Sequence, residues 1–167
     1  MTKRMIGLWL ALAAFAASAG TYTWTGASSA LWSNTANWSP APTFDNTADV
    51  IYYSTGAGNL NTALGSAAVT IRSLTFNDNA DAAVFVSLNN NGGTARNLQM
   101  SADSGNASIT VDASATGDFT IGTNGITTGQ GSLVLQSNLD IVLESQDFRL
   151  MRLIVGPRPG LGQAARG

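Results

Sequence analysis

The sequence predicts an all-β protein whose short strands stack as a β-solenoid. Apolar and polar residues alternate with a period of two in short stretches between Val69 and Leu143. Runs rich in Asn, Asp, Gly and Ser, which favour turns, separate these stretches. No convincing apolar stripe with the 3.6-residue period of a helix occurs there. These three observations favour strands throughout.

The predicted strands are narrow, and this narrowness distinguishes two all-β architectures. Each strand carries only two or three Val, Ile, Leu or Phe residues, and Thr and Ser fill most of the other positions. Narrow strands with polar corners fit a solenoid, in which successive turns bury a thin core. A β-sandwich, which needs broad apolar inner faces, is the alternative. Strand centres are expected near Ile71, Phe85, Leu98, Ile109, Ile121, Leu133 and Ile141.

The parity of the apolar residues predicts one bend and a set of inward-facing side chains. In the stretch VTIRSLTF, Val69 and Ile71 share one parity, whereas Leu74 and Phe76 share the other, so the chain should bend near Arg72. The intervening Thr, Ser and Asp side chains should face outward. The residues expected to face the core are Ile109, Val111, Ile121, Leu133, Leu135, Ile141 and Leu143.

The first nineteen residues have the pattern of a secretory signal peptide. Lys3 and Arg4 are followed by a short apolar run, and small residues end it at 17–19. Such a segment is removed on export, with cleavage expected between Ala19 and Gly20. A membrane-spanning helix needs about 20 predominantly apolar residues. This run is shorter and no second apolar stretch follows it, so no membrane span is expected after cleavage.

The composition argues against several functional classes. The chain contains no histidine and no cysteine, which rules out Ser-His-Asp triads, Cys-His dyads, disulfides and the usual zinc sites. Between residues 20 and 148 the basic side chains are Arg72 and Arg96, whereas all ten acidic residues lie there. Nucleic-acid binding needs a basic surface to neutralise phosphates, so it is not expected. No enzymatic activity and no cofactor are expected.

Three of the four tryptophans lie in the stretch TYTWTGASSALWSNTANWSP. The ends of a solenoid must be covered to protect its apolar core, and large aromatic side chains can do this. Residues 20–66 are therefore predicted to cap the solenoid repeats of 67–148. The alternative is a carbohydrate-binding or adhesive module, in which Trp24, Trp32 and Trp38 stack on sugar rings.

The same stretch resembles the opening of exported bacterial proteins that carry autotransporter-associated β-strand repeats. The segments IRSLTFNDNADAAVFV and TIGTNGITTGQGSLVLQSNLDIVL resemble their repeat units. The resemblance implies a right-handed parallel β-helix, secreted or displayed on a Gram-negative-type cell, with no catalytic residues. It implies a structural or passenger-type role, for which extracellular polysaccharide and neighbouring cell-surface proteins are candidate partners.

Two minor sites can be formulated from the remaining polar residues. The turn FNDNADA offers oxygen atoms to a calcium ion, but turn chemistry explains its composition equally and no metal site is predicted. A β-helical polysaccharide lyase would need Arg72 or Arg96 as its base, beside acidic residues that bind calcium. In the calcium hypothesis, the turn residues that could supply oxygen ligands are Asn77, Asp78, Asn79 and Asp81.

The segment 149–167 differs in composition from all that precedes it. It holds four of the eight basic residues and two of the four prolines, and it has no Ser, Thr, Asn or Asp. We interpret it as a disordered or non-native tail that follows a truncation or frameshift near Gln146. The alternative is that RLIV, residues 152–155, forms a last strand, which Pro157 would end.

Overall fold

The computed structural model shows a parallel β-solenoid of about three turns. The structure describes residues 19–52, 57–77, 82–113, 115–122 and 131–144, and the backbone of 148–150 and 153–155. A single turn of 3-10 helix, Thr35–Asn37, accompanies the strands within this part of the chain. The strands are β1 (Thr21–Trp24), β2 (Trp38–Ser39), β3 (Asp49–Tyr52), β4 (Asn61–Ala63), β5 (Val69–Ile71), β6 (Ser73–Phe76), β7 (Val84–Ser87), β8 (Leu98–Met100), β9 (Ala107–Val111), β10 (Phe119–Gly122), β11 (Leu133–Leu135), β12 (Leu139–Leu143), β13 (Phe148–Leu150) and β14 (Leu153–Val155).

Successive strands are distributed over three sheets, so that each turn contributes one strand to each sheet. The first sheet has the order β12-β9-β6-β3-β1-β2, the second β13-β10-β7-β4 and the third β14-β11-β8-β5. All named strand pairs are parallel except β1 with β2. The solenoid prediction is confirmed, and the β-sandwich alternative is wrong.

The bend at Arg72 separates the third sheet from the first. β5 ends at Ile71 and β6 begins at Ser73, and both present alternate residues to the core. The change of parity in the sequence therefore reflects a corner of the solenoid. All the predicted strand centres also lie within observed strands.

Inward-facing residues stack directly on their counterparts in the neighbouring turns. In the first sheet Val50 pairs with Leu74, Leu74 with Ile109, and Ile109 with Ile141. Burying each such side chain stabilises the fold by about 1.5–3 kcal/mol relative to leaving it in water. The core is thus a set of short apolar ladders that run along the solenoid.

Two of the predicted core residues are not buried. Ile141 and Leu143 have the inward parity of Ile109 and Val111, but they are 42% and 50% exposed. They lie on β12, which is an edge strand, so no described strand covers them from the other side. Leu135 is half-buried against the core. The other predicted core residues, Ile109, Val111, Ile121 and Leu133, are fully buried.

Strands β3 and β4 of the tryptophan-rich region were not predicted from the sequence. β3 joins β1 to β6 in parallel register, and β4 pairs with β7 in the second sheet. Region 20–66 therefore supplies strands to the same sheets as region 67–148. The alternation in DVIYY, with its β-branched and aromatic residues, is the signal that could have revealed β3.

The first residues of the predicted tail continue the solenoid. β13 pairs with β10, and β14 pairs with β11, both in parallel register. The backbone of 153–155 thus follows the alternative in which RLIV forms a strand. The interpretation of 156–167 as disordered falls outside the described residues.

Candidate functional site at the tryptophan-rich end

The three tryptophans predicted as a cap or a sugar platform lie inside the protein. Trp24, Trp32 and Trp38 are 1%, 0% and 6% exposed. Trp24 and Trp32 pack against Tyr52, which follows Trp24 in the inward ladder of the first sheet, and Trp38 packs against both of these tryptophans. The prediction that Trp24 and at least one of Trp32 and Trp38 pack against the first strands is confirmed. In this arrangement none of these three indoles has a face open to a sugar ring.

The cap is a cluster of aromatic rings in edge-to-face and tilted contacts. The ring centroids of Trp24 and Trp38 are 4.9 Å apart at 80°, and those of Trp32 and Trp38 are 5.2 Å apart at 85°. Phe44, which the sequence analysis did not single out, lies 5.2 Å from Trp38 and 5.8 Å from Trp32. Such pairs contribute about 0.5–1.5 kcal/mol each beyond their area burial.

The aromatic contacts continue from the cap into the solenoid. The Tyr52 ring stacks on Phe76 at 5.7 Å, and Phe76 stacks on Phe119 at 4.5 Å. Tyr52 and Phe76 occupy paired positions in the first sheet, whereas Phe119 projects inward from the second. The cap and the core of the repeats therefore form one packed unit.

Each of these three indole N–H groups has a hydrogen-bond acceptor, as burial requires. Trp24 Nε1 donates to the Gly58 carbonyl oxygen at 3.1 Å, and Trp38 Nε1 donates to the Trp32 carbonyl oxygen at 2.9 Å. Trp32 Nε1 lies 2.7 Å from the Tyr52 hydroxyl and 3.1 Å from Thr62 Oγ1. The indole donors are used within the protein.

Tyr52 and Thr62 extend this buried polar contact to the second sheet. The Thr62 hydroxyl donates to the Phe85 carbonyl oxygen at 3.0 Å, and its oxygen lies 3.0 Å from the Tyr52 hydroxyl. Burial raises the pKa of Tyr52 well above its ordinary value of 10.0, and the hydrogen bonds with Thr62 and Trp32 oppose this only in part. The phenol therefore stays protonated and serves as a structural hydrogen-bonding group.

Asn37 explains why an asparagine precedes Trp38 in this motif. Its Oδ1 accepts from the backbone N–H groups of Ser28 and Ser29 at 2.9 and 2.8 Å. Its Nδ2 donates to Ser29 Oγ and to the Leu31 carbonyl oxygen at 2.9 and 2.8 Å. The side chain is fully buried, so it holds the loop between the first two tryptophans from within.

The Trp-x-Gly part of the motif has a steric cause. Gly26 has a φ of +58°, and a β-carbon there would collide with the carbonyl group of Gly58. The two segments are also joined by hydrogen bonds from Gly58 N to Thr25 O at 2.8 Å and from Asn59 Nδ2 to Gly26 O at 2.6 Å. A glycine at position 26 therefore lets the chain after β1 lie close to Gly58 in the next turn, whose carbonyl oxygen accepts the hydrogen bond of the Trp24 indole.

Arg72, the first candidate base, is engaged in an ion pair on the outer face of the first sheet. Its guanidinium binds both carboxylate oxygens of Asp49, with Nε 2.9 Å from Oδ1, and Ser73 Oγ donates to Oδ1 at 2.6 Å. This pairing raises the pKa of Arg72 further above its ordinary value. A general base needs the opposite shift.

Arg96, the second candidate base, binds backbone carbonyl groups. Its Nε donates to the Ser66 oxygen at 3.1 Å and its Nη1 to the Ala95 oxygen at 2.8 Å. It lines a shallow groove of about 400 Å³ whose other walls are small or neutral. The groove holds no acidic side chain. Its lining residues are Ser66, Ala67, Ala68, Ala95, Arg96 and Asn97.

Within the described ranges, no three acidic side chains come together in a way that could hold a metal ion. Asp78, Asn79 and Asp81 of the calcium hypothesis lie outside the described residues, and Asn77 directly precedes them. The structure thus brings together the tryptophans of the cap, but it does not bring Arg72 or Arg96 close to an acidic cluster of described residues.

Comparisons with protein-family models, with curated proteins and with solved structures find no match. Among the described residues, none of the helical structure has the length and apolar character needed to cross a membrane.

Proposed function

We propose that this chain is a non-catalytic, exported β-solenoid that serves as a structural or passenger-type component outside the cell. The proposal combines the signal-peptide pattern of residues 1–19 with a fold that presents its core ladders to the interior and Thr, Ser and Asp to the outside. A solenoid supports an extended display surface by repetition, without needing a pocket.

The observation that carries this proposal is the saturation of the polar groups at the tryptophan-rich end. The indole N–H groups, the Asn37 amide and the Tyr52 hydroxyl all bond to partners within the chain. Arg72, on the outer face, is likewise paired with Asp49. Groups used in this way stabilise the fold and leave little for a substrate.

Export is tested by expressing the full chain in a Gram-negative host and fractionating the cells. We expect the chain outside the cytoplasm with a new N-terminus at Gly20, as read by mass spectrometry. Ala19→Arg should block cleavage, because signal peptidase accepts only small residues there. The matched change Ser18→Arg, at the position between the two small residues, should be cleaved. An uncleaved cytoplasmic wild-type chain would refute export.

A glycan-binding role is separated from the structural role by tryptophan fluorescence. The buried indoles should emit at short wavelength, and emission should stay constant when soluble polysaccharides are added. Trp24→Phe should lower stability without changing retention on immobilised polysaccharide. Saturable retention that Trp24→Phe abolishes in the still-folded protein would instead establish a carbohydrate-binding module.

A further inference from the structure

The connection between β7 and β8 contains a tight loop with three consecutive asparagines, 89–91. The loop is closed by the Asn90 N–H, which donates to the Thr94 carbonyl oxygen at 3.0 Å. Asn91 lies at its tip and is followed by Gly92, and both residues are exposed. Water therefore has access to an asparagine–glycine pair at this corner of the solenoid.

The backbone and the side chain of Asn91 are held very differently. Its backbone N–H donates to Asn89 Oδ1 at 2.7 Å, and its φ of 64° lies in the left-handed region, where asparagine is more common than most residues. Its carboxamide makes no hydrogen bond to another described residue. The main chain at the tip is thus fixed, whereas the side-chain amide is left to water.

We propose that Asn91 is a site of spontaneous deamidation. The backbone nitrogen of Gly92 loses its proton to water and attacks Cγ of Asn91, and the amide group takes up a proton and leaves as ammonia, so that a five-membered succinimide ring forms. Water then opens the ring at either carbonyl group and gives aspartate or isoaspartate. Overall one water molecule is consumed and one ammonia is released. Both reacting groups belong to adjacent residues, and glycine has no β-carbon to crowd the attacking nitrogen.

The neighbouring Asn90 restrains this reaction. Its Oδ1 accepts hydrogen bonds from the backbone N–H groups of Gly92 at 2.9 Å and Thr94 at 3.0 Å. The Gly92 nitrogen must give up the bonded proton before it attacks, so the bond has to be broken first. A hydrogen bond of ordinary strength corresponds to a rate difference of about two- to tenfold. The loop therefore contains both the reactive pair and the group that slows it.

Asn59 provides a comparison within the same chain. It is also exposed, and its φ of 49° is also positive. However, its Nδ2 donates to the Gly26 carbonyl oxygen at 2.6 Å, and the residue that follows it is Leu60, whose side chain crowds the backbone nitrogen. The carboxamide left to water and the following glycine distinguish Asn91, so we expect Asn59 to keep its amide.

Peptide mapping by mass spectrometry tests the site in the full, folded chain. The protein is kept at neutral pH for several weeks, and samples are digested with trypsin at intervals. Cleavage after Arg72 and Arg96 places Asn91 in the peptide 73–96 and Asn59 in a different peptide. We expect the Asn91 peptide to gain the mass difference between an amide and an acid and to separate into aspartyl and isoaspartyl forms. The Asn59 peptide should not change.

Two variants at position 90 test the restraint, compared in the folded state as judged by tryptophan fluorescence. Asn90→Ala removes the acceptor of the Gly92 N–H and should speed deamidation of Asn91 about two- to tenfold. Asn90→Asp keeps an acceptor oxygen there and should not exceed the wild-type rate. Equal rates for the two variants would overturn the restraint. A wild-type chain in which Asn91 keeps its amide would overturn the site, even if Asn124, the other asparagine followed by glycine, has converted.

Discussion

Replacing Asn37 with alanine should destabilise the tryptophan-rich end much more than its small volume suggests. The change removes four hydrogen bonds and leaves the backbone N–H groups of Ser28 and Ser29 and the carbonyl group of Leu31 without their partner. An unsatisfied buried group costs about 1–3 kcal/mol, but Ser28 is exposed and can bond to water instead. We therefore expect the free energy of unfolding to fall by about 2–4 kcal/mol.

Urea unfolding followed by tryptophan fluorescence measures this loss, and Asn34→Ala is the matched control. Asn34 lies in the same loop, but its side chain bonds to Ala36 N and to serine hydroxyls near the surface. Losing this cap of a short helix should cost about 1 kcal/mol or less. The reasoning fails if the two variants are equally stable, or if hydrogen exchange of the Ser29 amide is unchanged in Asn37→Ala.

Three further changes test other parts of the fold. Tyr52→Phe should remove a loss of stability at alkaline pH. Because the pKa of Tyr52 is raised in the folded state, the phenol ionises first in the unfolded chain, so the free energy of unfolding of the wild type falls above about pH 10. Unfolding of wild type and variant across pH will show this difference. Gly131→Ala should cost about 1–3 kcal/mol, because its β-carbon would collide with the carbonyl oxygens of Arg96 and Leu88. An unfolding midpoint equal to that of the wild type would contradict this contact. Asp49→Asn should cost about 1 kcal/mol or less at low salt, since the ion pair is partly exposed, and a loss that persists in 1 M salt would mean that packing and not charge is involved.

Much of the solenoid could be predicted because its signals are local. Side-chain parity changes at Arg72, where the chain turns a corner, and the strand centres follow from period-two alternation between polar turns. The aromatic cap was also predictable in kind, since large side chains grouped near one end of a repeat must be buried somewhere. Its internal order was not, because Tyr52 meets Trp24 and Trp32 only after the chain has wound through a turn.

The strands between Val69 and Leu143, and their apolar faces, follow from the sequence alone, because both depend on neighbouring residues. Only the tertiary structure decided which strands are adjacent: Ser73 pairs with Ser108, in the next turn, and not with the strand that follows it in the chain. The tertiary structure also decided burial at the end of the ladder. Ile109 and Ile141 have the same parity and nearly the same surroundings in sequence, yet one is buried and the other is 42% exposed, because burial requires a further strand on the other side.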